Sequence, residues 1–163
     1  MKYLFIYFLL LNSCKSTQNQ IDTNTNLKMQ EPVFEVILES VTDGKTEHAW
    51  EVIDSKAKLE TLYSVLNATI QPKHQLPEIN FDNQIVVALF LGEKNSGGYH
   101  IVPINVINEN DKIIISYKEI SPKPTDMATM SLTQPYCLIK VNNPKEEVVF
   151  KKITDYLYLF IIY

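Results

Sequence analysis

The stretch Ile85-Val86-Val87-Ala88-Leu89-Phe90-Leu91 decides the fold, because seven apolar residues follow one another without a break between two polar segments. Such a run is typical of a strand that is buried on both faces of a sheet. We therefore predict a central strand here, with other elements packed on each of its faces.

Two strands and a polar turn are predicted downstream of this run. Tyr99 to Ile107 and Ile113 to Ile120 are rich in β-branched residues, and residues 108–111, Asn-Glu-Asn-Asp, favour a turn between them. Pro103 lies within the first strand and cannot donate a ladder hydrogen bond, which predicts an edge strand or a bulge.

The C-terminal third is predicted to close with a second hairpin. A loop rich in Pro and Thr, residues 121–134, precedes an apolar stretch from Pro135 to Val141. Asn142-Asn143-Pro144 then turns the chain into Glu147 to Phe150. The tail from Tyr156 to Tyr163 is almost wholly apolar but far shorter than the roughly 20 residues that span a bilayer, so we predict a terminal strand.

Upstream of the central run, the pattern predicts a first hairpin. Phe34, Val36 and Leu38 are expected to share one face of a strand, with Glu35 and Glu39 on the other face. Asp43-Gly44 is a hairpin turn signal, and the segment that follows it, Glu47 to Ile53, carries the only tryptophan.

One amphipathic helix is predicted at about residues 55–68. Leu59, Leu62, Tyr63 and Leu66 recur at the spacing of one helical face. The predicted fold class is therefore mainly β with an α+β character. We expect one antiparallel, sandwich-like domain over residues 33–163, with this helix packed on a sheet.

The N-terminus has the pattern of a processing signal. Lys2 precedes nine apolar residues and then Leu11-Asn12-Ser13-Cys14, which resembles a bacterial lipobox. Residues 1–13 are predicted to be a lipoprotein signal peptide, and Cys14 is predicted to carry the lipid, with acyl chains such as palmitate. Residues 14–32 are too polar to form a core and are predicted to be a flexible tether. The expected location is the cell envelope, with membrane attachment through Cys14.

Composition and charge argue against a nucleic-acid partner. The formal net charge is -4, and all 15 basic residues are lysines. The bidentate guanidinium forks that read phosphates and base edges are therefore missing.

The glycines carry the strongest local signal. Three of the four fall within seven residues, in the segment Gly92-Glu93-Lys94-Asn95-Ser96-Gly97-Gly98 that precedes Tyr99. The spacing of Gly92 and Gly97 fits a phosphate loop, but the required lysine and hydroxyl residue are missing after it. Two interpretations stay open: a turn whose glycines only satisfy backbone geometry, with positive φ expected at Gly97, and a binding loop that presents Lys94, Ser96 and Tyr99.

Met127 and Met130 lie in the polar loop at residues 121–134, where no core periodicity calls for them. Methionine is frequent at adaptable binding surfaces. We therefore predict a partner-binding surface made of the loop Gly92–Gly98, Tyr99 and both methionines. The alternative is that both methionines fold back and fill the core.

No catalytic or metal-binding residues are assigned, and no cofactor is expected. The three histidines do not stand at metal-ligand spacing with one another or with a cysteine. Cys137 shares strand parity with Ile139 and Val141, which favours a buried, inert thiol over a nucleophile paired with His100.

The segment Val86 to Val102, VVALFLGEKNSGGYHIV, resembles the signature of the PrcB-like family of protease-complex subunits. In that family an apolar strand runs into Gly-x-Lys-x-Thr/Ser-Gly-Gly-Tyr and then into a second strand. The resemblance implies a non-catalytic accessory lipoprotein, and its implied partner is a secreted or surface protease.

Two other functions stay open beside this one. The segment from Asn95 to Tyr99 is also similar to a loop of chagasin-like inhibitors, which block cysteine proteases with loops of a β-sandwich. A structural or ligand-binding lipoprotein of the envelope is the third possibility, since ligand sites need a pocket that sequence does not reveal.

Overall fold

The structure, a computed structural model, describes residues 34–142 and 147–154. Seven strands and one helix follow one another in this part of the chain. Their bounds are β1 Phe34–Ser40, β2 His48–Ile53, α1 Lys56–Leu66, β3 Gln84–Leu91, β4 His100–Glu109, β5 Lys112–Ile120, β6 Tyr136–Asn142 and β7 Glu147–Lys152.

Several predictions from the sequence lie outside the described residues. These are the signal peptide at residues 1–13, the lipid on Cys14, the tether at 14–32 and the terminal strand at Tyr156–Tyr163. Among the described residues, no helix is long and apolar enough to cross a membrane.

The strands form two sheets. The first has four strands in the order β1-β6-β3-β2, all antiparallel, and the second has three strands in the order β4-β5-β7. β4 and β5 form an antiparallel hairpin, whereas β5 and β7 are parallel. The mainly β, sandwich-like class with one helix is thus confirmed, and the parallel pair is an addition to it.

β3 lies at the centre of the fold because both of its faces are covered. Its odd-numbered residues, from Ile85 to Leu91, pack with β4, β5 and β6 residues in the core between the two sheets. Its even-numbered residues, Val86, Ala88 and Phe90, pack against α1. All seven residues of the apolar run are at most 2% exposed, which confirms the predicted central strand.

The helix is confirmed within the predicted range. Leu59, Leu62, Tyr63 and Leu66 are buried against the outer face of the four-stranded sheet, as the spacing indicates. Ser55 occupies the N-cap position but makes no side-chain capping hydrogen bond. The helix is therefore held in place mainly by burial of its apolar face.

Both of the other predicted hairpins are wrong, because β6 and β3 lie between β1 and β2, and β7 joins the other sheet from β6. β1 pairs with β6 and β2 pairs with β3, so β1 and β2 lie on opposite edges of the four-stranded sheet. β6 does not pair with β7, which joins the other sheet beside β5. Turn residues such as Asp43-Gly44 mark a change of direction but do not specify which strands pair.

The segment from Val41 to Glu47 crosses the end of the four-stranded sheet. The Gly44 N–H donates to the Gln134 carbonyl (3.2 Å), and the Gln134 N–H donates to the Val41 carbonyl (2.9 Å). Further along, the Glu93 N–H donates to the Thr46 carbonyl (3.0 Å). The crossing is thus bonded to the residues just before β6 and just after β3.

Two bulges alter the strand patterns. The register of β1 shifts between Val36 and Leu38, so Leu38 packs on the helix side while Phe34 packs between the sheets. The prediction that these residues share one face is therefore wrong. In β4 the register shifts after Pro103, and β4 is an edge strand, which confirms both expectations for that proline.

An aromatic seam joins the two sheets on the side where β2 and β7 lie. The Trp50 ring stacks on Phe150 at 5.6 Å and meets Tyr117 edge-on at 5.8 Å. One carboxylate oxygen of Glu119 lies 3.0 Å from His48 Nε2, and the other lies 2.6 Å from Lys152 Nζ. β2 and β7 therefore pass each other in opposite directions.

Candidate functional site

Three connecting segments meet at one end of the four-stranded sheet. β3 ends there and β6 begins there, because the two strands are antiparallel and Phe90 pairs with Tyr136. The loop that follows β3, residues 92–98, therefore lies beside the loop that leads into β6, residues 121–134. The crossing segment at residues 41–47 completes this end. We call these three segments the loop end.

The glycine-containing loop is bonded directly to the Pro-rich loop. Lys94 and Thr133 exchange two backbone hydrogen bonds of 2.8 and 2.9 Å, and the Gly97 N–H donates to the Thr129 carbonyl at 2.9 Å. The Thr133 hydroxyl donates to the Ser96 carbonyl at 2.8 Å. The two loops thus form one surface with a defined backbone geometry.

The glycines permit this loop geometry. Gly92 and Gly98 have φ angles of 77° and 85°, in the left-handed region that disfavours residues with a Cβ atom. Gly97 does not lie in that region, so the expectation of positive φ at this residue is wrong. A Cβ atom on Gly97 would instead lie 2.5 Å from the Thr129 hydroxyl oxygen, so this glycine permits close approach of the two loops.

Tyr99 anchors the loop, and Lys94 lies above it. The Tyr99 side chain is half-buried against the core between the sheets. The Lys94 ammonium lies 5.9 Å from the centre of the Tyr99 ring, within the range of a cation–π contact. Of the other loop side chains, Asn95 is exposed and Ser96 is half-buried.

The methionines of the Pro-rich loop are fully exposed. The relative exposure of Met127 is 103% and that of Met130 is 99%, so the alternative in which they fill the core is wrong. Leu132 is 64% exposed on the same loop. Thr129, which is bonded to Gly97, lies between the two methionines in sequence, so both side chains project from a segment attached to the glycine-containing loop.

Residues 85–142 match the profile of the family described as PrcB C-terminal. This segment, 58 of the 163 residues, is similar to the PrcB C-terminal family. It covers β3 to β6 and includes both bonded loops, 92–98 and 121–134. The recognition based on Val86 to Val102 is thereby confirmed.

An uncharacterised protein of Methanocaldococcus jannaschii is 38% identical to this chain over 61 residues. The alignment covers 37% of this chain and 36% of the relative, so it spans only about a third of either protein. No solved structure gives a significant match.

Sequence reasoning missed three contributors to the loop end. Leu132 is, like the two methionines, an apolar residue in a polar loop without periodicity, so the sequence carried the same signal for it. Gln134 contributes a side-chain hydrogen bond to Glu93 at 3.0 Å, and the crossing segment contributes backbone bonds. The crossing segment gave no usable signal, because its position follows from a strand order that local sequence does not encode.

The PrcB C-terminal segment holds the cysteine that we considered as a nucleophile. The Cys137 side chain is fully buried, and this burial raises the pKa of its thiol to about 12. The reactive thiolate is therefore scarce at neutral pH. The burial of Cys137 confirms that it is a core residue. His100 is exposed at the start of β4, which gives no support to a Cys–His pair.

The other two histidines are engaged in structural contacts. His48 is bonded to Glu119, and His74 Nε2 lies 3.2 Å from the Tyr136 hydroxyl. Within residues 34–142 and 147–154, no group of three or more His, Cys, Asp or Glu side chains is placed to hold a metal ion.

Proposed function

We propose that this chain is a non-catalytic accessory protein of the cell envelope that binds a protein partner through its loop end. The observation that carries the proposal is the full exposure of Met127 and Met130 on a loop whose backbone is bonded to the glycine-containing loop. Exposed apolar side chains on a fixed frame are typical of protein-binding surfaces, and methionine adapts readily to the shape of a partner.

The proposed partner is a secreted or surface protease complex. Support comes from the PrcB C-terminal match, since the resemblance implies a subunit of such a complex. The matched residues include both loops of the proposed surface, so the segment that carries the family signature is also the one that presents the methionines.

The proposed absence of catalysis rests on the described side chains. The Cys137 thiol is buried with a raised pKa, and His48 and His74 are held in contacts that stabilise the fold. Glu119 is half-buried, and its two carboxylate oxygens are bonded to Lys152 and to His48, which is the arrangement of a structural carboxylate.

Membrane attachment through a lipid on Cys14 is part of the proposal and is supported by the sequence of residues 1–14. Mass spectrometry of the protein purified from its own membranes tests it directly. We expect a chain that begins at Cys14 and carries acyl chains, and a Cys14→Ser variant that is not processed. A mature chain without lipid, or one that begins elsewhere, would refute the anchor without affecting the binding surface.

The binding surface is tested by capture from native membranes with two variants, Lys94→Glu and Met127→Asp. Both side chains lie on the loop end, and we expect both variants to keep their thermal midpoint and to lose the protease component. Ile107→Asp is the matched control, because Ile107 is 42% exposed on β4 yet lies towards the far end of that strand. Capture of the same protease by all three folded variants would contradict the proposal.

A protease inhibitor is the second candidate, favoured by one observation. Three segments meet at one end of a β-sandwich, and one of them is the loop at residues 92–98 with exposed Asn95. Our proposal predicts no inhibition of a papain-like protease by the purified domain at micromolar concentration. Inhibition that is abolished by Asn95→Asp or Gly97→Val would favour the inhibitor instead.

A further inference from the structure

The accessible sulfur atoms of the described chain are concentrated at the loop end. The sequence contains four methionines and two cysteines, of which Met127, Met130 and Cys137 lie in the described part of the chain. Cys137 is fully buried, and burial raises the pKa of its thiol to about 12, so it offers little thiolate to an oxidant. Met127 and Met130 are fully exposed. Among residues 34–142 and 147–154, these two thioethers are therefore the sulfur groups that a dissolved oxidant reaches.

An exposed thioether reacts with a hydroperoxide in one two-electron step. A sulfur lone pair attacks the peroxide, and an S–O bond forms as the O–O bond breaks. The proton of the transferred hydroxyl passes to the leaving oxygen, so that hydrogen peroxide is reduced to water. The product, methionine sulfoxide, is polar and chiral, and methionine sulfoxide reductases convert it back to the thioether.

The backbone around the methionines is held by bonds that this reaction does not touch. The Asp126 N–H donates to the Lys123 carbonyl at 2.9 Å, and the Lys123 N–H donates to the Asp126 carboxylate at 2.8 Å, which fixes a turn just before the first methionine. Between the two methionines, the Thr129 carbonyl accepts from the Gly97 N–H at 2.9 Å. Oxidation therefore changes the polarity of the loop end and leaves its frame in place.

The apolar groups that the loop at residues 121–134 exposes differ in their response to an oxidant. Met127, Met130 and Leu132 are all exposed, and only the two methionines contain sulfur. A hydroperoxide thus turns two of these three side chains polar. A protein partner that contacts all three loses most of its apolar contact with this loop.

We propose that Met127 and Met130 form a reversible redox switch of the loop end. Their thioethers bind the protein partner, and oxidation to sulfoxides by a hydroperoxide releases it. This inference rests on the proposed function, because it concerns the regulation of the same surface. A sulfoxide oxygen accepts hydrogen bonds from water, and burial against an apolar partner surface removes that water, so we expect binding to be weakened about tenfold or more.

Peptide mass spectrometry of the folded full chain after treatment with hydrogen peroxide tests the modification site. We expect one oxygen to be added at each of Met127 and Met130, with an unchanged thermal midpoint, and methionine sulfoxide reductases should remove both. Cys137 should stay reduced as long as the chain is folded. Oxidation of the two methionines that is many times slower in the folded chain than in urea would show that the thioethers are protected, and would overturn the proposal.

The switch itself is tested by capture of the protease component from native membranes, with catalase added to remove the peroxide before capture. The oxidised chain should capture about a tenth as much as the unoxidised chain, or less, and reductase treatment should restore capture. Met127→Gln with Met130→Gln, which places polar side chains at both positions, should show the same loss without oxidation. The matched control is Met127→Leu with Met130→Leu, whose capture should be equal before and after peroxide because it has no thioether on this loop.

The outcomes separate the switch from the proposed function. Failure of the unoxidised chain to capture a protease would refute the proposed function, and the switch with it. Normal capture by a chain in which both methionines are fully oxidised would overturn the switch alone. An equal loss of capture after peroxide in the double leucine variant would assign the sensitivity to a different residue, which would also overturn the switch.

Discussion

Apolar side chains are completely buried on β3 and completely exposed on the loop at residues 121–134. On β3, the residues from Val86 to Phe90 are completely buried between α1 and the second sheet. On the loop, Met127 and Met130 are completely exposed although they are similar in hydrophobicity. Burial therefore follows from position in a regular element, and apolar residues outside such elements require a different explanation.

The largest expected effect lies on the buried side of this contrast. Replacing the wholly buried Phe90 by Ala should lower the free energy of unfolding by about 3–5 kcal/mol, because it leaves a cavity against α1 and Tyr136. Urea denaturation monitored by circular dichroism measures the loss. A change below about 1 kcal/mol would mean that the face of β3 towards the helix is not close-packed.

The helix sharpens the comparison within a single element. Leu62 is 4% exposed and Val65 is 51% exposed, although they are only three residues apart on α1. Leu62→Ala should cost about 2–5 kcal/mol, whereas Val65→Ala should stay within about 1 kcal/mol in the same denaturation experiment. Equal losses for the two variants would contradict the difference in burial between Leu62 and Val65.

A smaller effect is expected at Glu119 in the seam between the sheets. Burial raises the pKa of this carboxyl, but hydrogen bonds from Lys152 and His48 outweigh it, and the pKa lies below its ordinary value. A lowered folded-state pKa stabilises the fold above the unfolded-state pKa, and this stabilisation is lost as the pH falls through the folded value.

Glu119→Gln should therefore destabilise the protein by less than about 1 kcal/mol at pH 7, in keeping with partly exposed ion pairs. The difference from the unsubstituted chain should shrink towards zero as the pH falls below about 4.5, the ordinary value for this carboxyl. About 1 M salt should also reduce it through screening. A difference that grows on acidification would contradict the assigned sign.

The smallest effect is expected at the exposed methionines. Met127→Ser and Met130→Ser should each change the free energy of unfolding by no more than about 0.5 kcal/mol, because neither side chain has packing to lose. Thermal denaturation of the two single variants and of the double variant is the measurement. A loss of about 2 kcal/mol or more would place these methionines with the core residues of β3 and remove the contrast.

Local patterns of sequence predicted elements, whereas pairing partners depended on distant residues. The uninterrupted run at 85–91, the spacing from Leu59 to Leu66 and the proline at 103 each carry their structural meaning within a few residues, and all three were read correctly. The two wrong hairpins would pair β1 with β2 and β6 with β7. In the structure β1 pairs with β6, β2 pairs with β3, and β7 pairs with β5. Hydrophobic alternation predicts which face of a strand is buried but not which strand lies beside it, so it did not predict the strand order.

The candidate site divides in the same way. The clustered glycines and the methionines in a polar loop predicted the two loops of the candidate site, because each departs from the usual pattern of apolar and turn residues. The hydrogen bonds that join Lys94 to Thr133 and Gly97 to Thr129 connect residues more than 30 positions apart, and no local pattern encodes them. The backbone contact of the two loops was therefore visible only in the structure.

The position of β6 between β1 and β3 also sets the order of events during synthesis. Residues 34–40 must wait for a partner that is made about a hundred residues later, since residues 136–142 supply their only pairing among the described strands. Contacts of such long sequence separation slow folding, because the intervening chain loses conformational entropy before the paired strands form stabilising contacts. The four-stranded sheet therefore stays incomplete until the C-terminal quarter of the chain has emerged. Until then, β3 lacks the strand that pairs with one of its two edges, and an unpaired strand edge is prone to association with other chains.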